Sequence, residues 1–277
     1  MNGLLVIHKE KGMTSHDVVF RLRKILQIKK IGHTGTLDPN ATGVLLVMVG
    51  KATKLLPFLE DIDKEYIATL GLGKKTLSDD VWGEVLHEKE IIPIDDLNQV
   101  LQSFVGVIKQ VPPRISSIKI AGKKLYEYTR KGEMIRLPKR DVEIFSIVLL
   151  DSNKRCFKVH CSSGTYVRSL CVAIAEKTQN LGYMDSLVRS KVGRFALSDA
   201  STLADVEKGN YRFFSKEEVL KHLPFMRYEP IEDIYHGKKI NLETMDDRVV
   251  ICDKNQMCLA IYDRVEQHTF KSVRGLW

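Results

Sequence analysis

The stretch Gly32–Gly43, GHTGTLDPNATG, combines three glycines and a proline with one carboxylate, that of Asp38. Because these residues break any helical or strand period, the stretch is predicted to be a loop. Asp38 precedes Pro39 and is therefore biased towards extended or turn geometry. The apolar run VLLVMV at 44–49 follows and predicts a buried strand. An acid on a stiff turn beside a core strand is well placed for chemistry, although Asp also commonly accepts hydrogen bonds from its own turn.

The composition indicates a soluble globular protein with a basic surface. The chain has 277 residues, of which 44% are hydrophobic and 28% charged, so it can form one large domain or two. Lys and Arg number 43 against 35 Asp and Glu, and the resulting net charge of +8 favours a polyanionic partner, most often nucleic acid. An anionic membrane would suit the charge as well, but the sequence has no basic amphipathic helix with an aromatic apolar face.

The cysteines and the apolar runs point to the cytoplasm. The five cysteines are odd in number and none are spaced as CxxC, which favours reduced thiols and argues against a disulfide framework or a zinc site. The longest purely apolar run has six residues, too few for a membrane span. The first residues contain too short an apolar run for a signal peptide. We therefore expect a cytoplasmic protein without a bound metal.

Periodicity and capping signals divide the chain into alternating helices and strands. Thr14 or Ser15 is expected to cap a helix, with Asp17 in its first turn. Ser215 and Glu218 form a capping-box pattern for a later helix that ends near Leu223. Strands are predicted at 4–8, 64–72, 84–88, 140–150, 155–161 and 182–197, and helices at 51–60, 95–105 and 167–177.

A basic and aromatic stretch follows Pro112 and Pro113 and reads as a hairpin that runs into a short helix. Bases stack on aromatic rings while cations follow phosphates, so an RNA-binding groove is one interpretation. A solvated amphipathic helix with inward-facing tyrosines is the other, and the residues favour neither. The candidate RNA-binding side chains are Lys119, Lys123, Lys124, Arg130 and Lys131.

Arg168 falls at the start of the predicted helix 167–177, directly after Tyr166. An arginine gains nothing from the dipole at a helix N-terminus, so a carboxylate or phosphate partner explains its position better. Pro224 and Pro230 mark a boundary after which the chain changes to short β segments. We therefore predict two domains, 1–224 and 225–277.

Four segments together resemble the TruB-type tRNA pseudouridine synthases. They are GHTGTLDPNATGVLL, KEYIATLGLG, SSIKIAGKKLYEYTRKG and SSGTYVRSL, and they occur in the order that the family shows. The resemblance implies an α+β fold: a mixed, mostly antiparallel sheet with flanking helices, followed by a small all-β PUA-like RNA-binding domain. It also implies an isomerase that converts uridine 55 in the T-loop of tRNA to pseudouridine without metal or organic cofactor.

The same resemblance assigns roles to individual residues. Asp38 matches the catalytic aspartate, Tyr66 the tyrosine that stacks on the target base, and Arg168 the arginine that pairs with the aspartate. His33 matches a histidine that packs against the opened T-loop. Tyr166 and Leu187 match residues that line the uridine pocket. The expected partner is the T-arm of tRNA, and nothing in the sequence demands more than a monomer.

Three positions depart from the family pattern: Glu10 replaces a proline, Glu65 replaces a basic residue, and Ile115 replaces an aromatic. Two other functions fit parts of the sequence. A non-catalytic RNA-binding or RNA-folding protein would keep the basic surface without needing Asp38. A metal-free nucleoside glycosidase would need the acid but neither the basic surface nor the β appendage.

Overall fold

The structure is a computed structural model that describes all residues except 60, 61, 117, 121, 131, 132, 134 and 136. The chain forms two compact units. The first comprises Met1–Pro39, Leu45–Glu60 and Ser198–Trp277, and the second comprises Asn40–Val44 and Asp61–Leu197. Among the described residues, no helix has the length and apolar character required to span a bilayer.

The elements are named in chain order. The N-terminal part holds β1 (Gly3–Lys9), α1 (Ser15–Leu26), β2 (Ile31–Thr34), β3 (Thr42–Val49) and a 3₁₀ helix (Gly50–Phe58). The middle part holds β4 (Lys64–Leu72), β5 (Lys74–Thr76), β6 (Val85–Glu88), α2 (Leu97–Gln102), β7 (Gly106–Gln110), β8 (Lys119–Ile120), β9 (Lys123–Lys124), α3 (Leu125–Arg130), β10 (Arg140–Asp151), β11 (Cys156–Cys161), α4 (Val167–Lys177), β12 (Gly182–Val192) and β13 (Phe195–Ala196). The C-terminal part holds a 3₁₀ helix (Leu197–Asp199), α5 (Leu203–Glu207), β14 (Phe213–Ser215), α6 (Lys216–Val219), β15 (Phe225–Arg227), α7 (Ile231–Tyr235), β16 (Ile240–Asn241), β17 (Arg248–Cys252), β18 (Cys258–Arg264) and β19 (Thr269–Gly275).

Helix α1 begins at a reciprocal cap, as its sequence predicts. The Asp17 amide donates to Thr14 Oγ1 at 3.0 Å, and the Thr14 amide donates to Asp17 Oδ2 at 2.8 Å. Two backbone donors that the helix leaves unpaired are thereby satisfied. Val18, Val19 and Leu22 recur at helical spacing and are buried against the strands. This apolar stripe packs α1 against the strands of the first unit.

In the first unit, β1 lies between β14 and β3, and β2 pairs antiparallel with β3. Its core joins the inner faces of these strands to α1 and α5. The buried members are Leu5, Ile7, Val18, Val19, Leu22, Ile31, Leu45, Val47, Val49, Leu203 and Val206.

In the second unit, the strands follow the order β12, β4, β11, β10, β7, and every neighbouring pair is antiparallel. The first residues of β3 add to β12 as a parallel neighbour through the pairs Thr42 with Val188 and Gly43 with Arg189. The predicted α+β class with a mixed, mostly antiparallel sheet is therefore confirmed.

The C-terminal residues form a separate five-stranded sheet of order β15, β17, β18, β19, β16, in which only the β15–β17 pair is parallel. Its core includes Val249, Ile251, Tyr262 and Phe270, which are fully buried. The β character predicted after Pro224 is confirmed, with one short helix, α7, added to it.

Several predicted segments differ from the structure. The helix predicted to end near Leu223 ends at Val219, and the strand predicted at 182–197 ends at Val192. In place of the helix predicted at 51–60, the chain forms a 3₁₀ helix over Gly50–Phe58 with Pro57 near its end, and residue 60 lies outside the described residues. Helix α2 is capped by Asp96 as predicted but ends at Gln102, three residues earlier than the pattern indicated. The opening of the glycine-rich stretch is not loop: Ile31–Thr34 pairs with Leu46–Val49 as β2, because the neighbouring strand satisfies its backbone groups.

Candidate functional site

The two residues that flank Asp38 are both fixed by buried polar side chains of the first unit. Ser15 Oγ accepts from the Leu37 amide at 2.9 Å and lies 3.3 Å from the Leu37 carbonyl. The fully buried Lys9 donates its ammonium group to the Pro39 carbonyl at 2.9 Å, and the Gly12 amide donates to the same oxygen at 3.0 Å. Asp38 itself is half-buried. Its carboxylate is therefore carried on a short segment whose backbone is held on both sides.

Lys9 is a buried cation that is saturated by backbone oxygens. Besides Pro39, its Nζ donates to the carbonyls of Met13 at 2.7 Å and Glu10 at 3.0 Å. A buried charge is tolerated only with such partners. Lys9 thus joins the end of β1 and the turn before α1 to the loop that carries Asp38.

His33 lies on β2, opposite Val47 of β3, and is half-buried. It belongs to the first unit, as Asp38 does. The predicted site residues Tyr66, Tyr166, Arg168 and Leu187 belong to the second unit.

Tyr66 and Arg189 form a buried pair across β4 and β12. They are register partners in that antiparallel pair, and only 7% of Tyr66 and 1% of Arg189 is exposed. Burial lowers the pKa of the Arg189 guanidinium, whereas a side-chain hydrogen bond with Tyr66 opposes that effect. Arg189 Nε also donates to the Val44 carbonyl at 2.8 Å. The arginine therefore ties the tyrosine to the start of β3.

Leu187 is 8% exposed and lies two residues before Arg189, opposite Ala68 of β4. Because strand side chains alternate, Leu187, Arg189 and Tyr66 share one face of the sheet. Gly43 permits the close approach of β3 to β12. It has φ +112°, and a Cβ there would lie 2.2 Å from the Arg189 carbonyl oxygen.

Arg168, at the N-terminus of α4, is 5% exposed and is held by three oxygen-bearing groups. Its Nη1 donates to the Ser78 carbonyl at 2.8 Å, and its Nη2 donates to the Ile115 carbonyl at 3.0 Å. The carboxylate of Asp80 lies 3.9 Å from Nη1. A carboxylate, one of the two kinds of partner that the position of Arg168 predicts, therefore lies near its guanidinium in Asp80, and the pairing of Arg168 with Asp38 stays a prediction.

Tyr166 caps α4 through its backbone. Its amide donates to Gln110 Oε1 at 2.7 Å, and its carbonyl accepts from Gln110 Nε2 at 3.0 Å. The guanidinium carbon of Arg140 lies 5.8 Å from the centre of its half-buried ring, within the range of a cation–π contact.

The hairpin predicted in the basic stretch is present as β8 and β9, followed by α3. The Lys123 ammonium lies 5.9 Å from the ring centre of Tyr128, whose hydroxyl donates to the Ile120 carbonyl at 2.9 Å. Lys119, Lys124 and Arg130 are described only by their place in β8, β9 and α3. Lys131 lies outside the described residues.

Sequence reasoning missed three residues that the structure brings to these positions: Lys9, Asp80 and Arg189. A signal existed for Arg189, because a charge two residues after Leu187 falls on the buried face of a strand. Asp80 and Lys9 gave none, since acids in loops and lysines at strand ends are usually exposed. Among the described residues, no group of three or more His, Cys, Asp or Glu side chains has the arrangement of a metal site.

Each of these residue types has its own chemical capability. A carboxylate such as that of Asp38 can serve as a nucleophile or a base. The Tyr66 ring offers a stacking face, and the Arg189 bond restrains its hydroxyl. Arg168 supplies a fixed cation that can orient an acid and keep it ionised.

A family model and curated relatives match this chain. The model of the TruB family pseudouridylate synthase N-terminal domain matches residues 23–167. A Bacillus cereus protein named tRNA pseudouridine synthase B is 40% identical over 97% of this chain and 94% of its own length. A Staphylococcus aureus protein of that name is 40% identical over 94% of each chain.

Solved structures share the fold. A chain in the crystal structure of a Cbf5-Nop10-Gar1 complex has a TM-score of 0.75 and 24% identity, over 99% of this chain and 85% of that one. A chain in the structure of an H/ACA RNP bound to a substrate RNA containing 2′-deoxyuridine has a TM-score of 0.73 and 23% identity, over 99% and 85% of the two chains.

Proposed function

The chain belongs to the TruB family of pseudouridylate synthases, and from that premise we propose that it converts uridine 55 in the T-loop of tRNA to pseudouridine. The observation that carries the proposal is the loop around Asp38, whose two neighbours are fixed by Lys9 and Ser15 within the GHTGTLDPNATG motif. tRNA as the substrate is supported by the names of relatives at 40% identity over nearly the full chain. The T-loop position rests on the motif resemblance.

In this mechanism Asp38 starts the departure of uracil from the ribose. The carboxylate either adds to ribose C1′ or removes a ribose proton, and the electrons of the glycosidic bond leave with uracil N1. The detached ring rotates in its plane while stacked on Tyr66, where stacking is worth about 1–3 kcal/mol per base. A new bond then forms between C1′ and uracil C5 as the bond from the carboxylate to C1′ breaks or, in the other route, as the removed proton returns to the ribose. The C5 proton is then lost to solvent, and uracil N1 takes up a proton. The uridine must be flipped out of its stack beforehand.

Arg168 is proposed to pair with Asp38 while Asp80 and two carbonyls hold the guanidinium in place. Gly43 follows Asp38 by five positions, so the chain allows at most about 18 Å between the Cα atoms of these two residues. Gly43 is in turn the strand neighbour of Arg189. Leu187 and Tyr166 are proposed to line the uridine pocket, and His33 to pack against the opened T-loop.

The remaining assignments concern RNA binding and domains. We propose that Lys119, Lys123, Lys124, Arg130 and Lys131 hold the T-arm backbone. Residues 1–224 form the catalytic domain in this proposal, and residues 225–277 a PUA-like RNA-binding domain that acts in a cytoplasmic monomer.

The test measures tritium released from unmodified tRNA labelled at uridine C5. The protein is expected to release tritium, and Asp38→Asn is expected to abolish release while tRNA binding persists. Asp247→Asn serves as the matched control, because the side chain of Asp247 is 95% exposed. Unchanged release by Asp38→Asn would remove Asp38 from its role. Free uracil as the product would indicate a glycosidase. If the wild type bound tRNA but released no tritium, it would be a non-catalytic RNA-binding protein.

A further inference from the structure

The loop 77–83 of the second unit, LSDDVWG, turns its acids inward and its apolar side chains outward. Asp80 is 7% exposed, whereas Val81 and Trp82 are each 40% exposed. Asp79 is half-buried, and burial raises the pKa of its carboxyl group. Surface loops normally expose their acids and bury their apolar side chains. The exposed indole in a loop with buried acids is therefore the informative feature here.

Hydrogen bonds fix the backbone that carries this indole. Asp80 Oδ1 accepts from the Trp82 amide at 3.1 Å and from Ser78 Oγ at 2.6 Å. The Val81 amide donates to the Met184 carbonyl of β12 at 3.0 Å. A large aromatic on a fixed backbone has few conformations to lose on binding, so it suits the role of a contact residue.

The loop is also joined to Arg168. The Ser78 carbonyl accepts from Arg168 Nη1 at 2.8 Å, and the Asp80 carboxylate lies 3.9 Å from the same atom. The carbonyl of Ile115, a residue that is 36% exposed, accepts from Arg168 Nη2 at 3.0 Å. Trp82 is therefore two residues from the acid that lies near the proposed catalytic arginine, and the carbonyl of Ile115 bonds that arginine from another segment.

We propose that Trp82 stacks on an unpaired base of the RNA substrate next to the reacting uridine, and that it acts as a binding residue of this chain. The proposal rests on the proposed function. A flipped uridine leaves its neighbours without a stacking partner, and an aromatic face accepts any of the four bases. Val81 and Trp82, the exposed apolar side chains of this loop, offer far less area than the roughly 800 Å² per partner of a stable protein interface, which favours a base over a protein as the occupant.

The first test compares Trp82→Ala, Trp82→Phe and the wild type in binding and turnover of the same unmodified tRNA. Trp82→Ala is expected to raise Kd and KM about 5- to 150-fold, which corresponds to the loss of one stacked base. Because the contact is not to the reacting ring, kcat should stay within about twofold. Trp82→Phe should restore most of the affinity, which a purely structural role of the loop would not require. Leu86→Ala, at a residue 43% exposed in β6, is the matched control and should leave Kd unchanged.

The second test uses the fact that the chain has only two tryptophans, Trp82 and Trp277. In a Trp277→Phe protein, the emission reports Trp82 alone. Titration with the tRNA should quench this emission with the Kd measured by binding, whereas a fully paired RNA duplex of equal length should not quench it.

Several results would overturn the inference. They are an unchanged Kd for Trp82→Ala, unquenched emission at saturating tRNA, or equal quenching by the duplex. A self-association of the protein that Trp82→Ala abolishes would assign the surface to a second copy instead. Failure of the proposed function can be distinguished from failure of this inference, because the proposed function is tested by tritium release from the wild type and from Asp38→Asn.

Discussion

At the scale of single residues, the charged side chain of Lys9 stabilises the fold through hydrogen bonds to the backbone. Its ammonium is fully buried and meets three carbonyl oxygens, of which that of Pro39 adjoins Asp38. An apolar side chain of similar length would remove the Lys9 donor from the carbonyls of Glu10 and Met13, and it would leave the Pro39 carbonyl with the Gly12 amide as its donor. A buried acceptor without a partner costs more than the original bond contributed.

We predict that Lys9→Met lowers the free energy of unfolding by about 2–4 kcal/mol and also reduces tritium release. The free energy of unfolding is measured by urea denaturation. Lys11→Met, at an exposed lysine two residues later, is the control and should change neither quantity. Equal effects of the two substitutions would show that the buried ammonium does not hold the Asp38 loop.

Two substitutions of Tyr66 distinguish the role of its hydroxyl in stability from the role of its ring in stacking. Tyr66→Phe keeps the ring but removes the hydroxyl that contacts the buried guanidinium. We expect a loss of about 1–3 kcal/mol in unfolding free energy, because a desolvated cation loses a partner. Tyr66→Leu removes the ring as well and should lower tritium release at least about tenfold below that of Tyr66→Phe.

Tyr262→Phe is the matched control for this prediction. Tyr262 is fully buried, and its hydroxyl donates to the Lys238 carbonyl at 3.2 Å in the C-terminal sheet. The Tyr262→Phe variant should have a lower free energy of unfolding in urea but release tritium at the wild-type rate. If Tyr66→Leu turned over as fast as Tyr66→Phe, the stacking role of the ring would be excluded.

At the scale of elements, the junction between β3 and β12 depends on Gly43. The glycine has φ +112°, and an added Cβ would lie 2.2 Å from the Arg189 carbonyl oxygen and 2.7 Å from its nitrogen. Both atoms belong to the backbone, so no side-chain rotation relieves the overlap. The strand that follows Asp38 can lie beside the strand that carries Arg189 only without a side chain at this position.

Gly43→Ala is predicted to destabilise the protein far more than Gly209→Ala. Gly209 has φ +79°, with open space where a Cβ would lie, so its substitution adds only the backbone cost of about 1–2 kcal/mol. Gly43→Ala adds the overlap with Arg189 and should yield either insoluble protein or a much lower urea midpoint. Comparable midpoints for the two variants would show that β3 and β12 can separate at little cost.

Elements with a strong periodic signal were predicted well, and elements that depend on partners were not. Helices α1 and α4 and strand β4 occupy the expected residues because their apolar spacing and caps are local features. The region 31–34 contains Gly32 and polar side chains but is a strand, because β3 supplies its hydrogen bonds. Helix α2 ends early at Gln102, whose side chain donates to the Ile147 carbonyl of β10 at 2.7 Å.

At the scale of the whole molecule, the net charge of +8 predicts strong salt dependence of tRNA binding. Neutralised phosphates release counterions, so Kd should rise steeply with salt, by at least about tenfold between 50 and 200 mM. Lys123→Ala should weaken binding and reduce the slope of log K against log salt by about one unit.

Lys154→Ala is the control for the salt titration, because the side chain of Lys154 is 81% exposed and lies in the turn between β10 and β11. Its slope should equal that of the wild type. A flat titration of the wild type would contradict a phosphate-binding surface, and an unchanged slope for Lys123→Ala would remove that residue from it.

The sequence by itself determined the fold class, the β character of the C-terminal region, the family and the position of Asp38. These follow from local periodicity and from a long contiguous motif, in which neighbouring residues carry the information together. Only the tertiary structure decided that Lys9 and Asp80 are buried, which groups these two residues and Arg189 bond, and that the loop of Trp82 turns its acids inward. The environment of a charged side chain is set by backbone groups distant along the chain, such as Pro39 for Lys9 and Val44 for Arg189, and no local pattern encodes them.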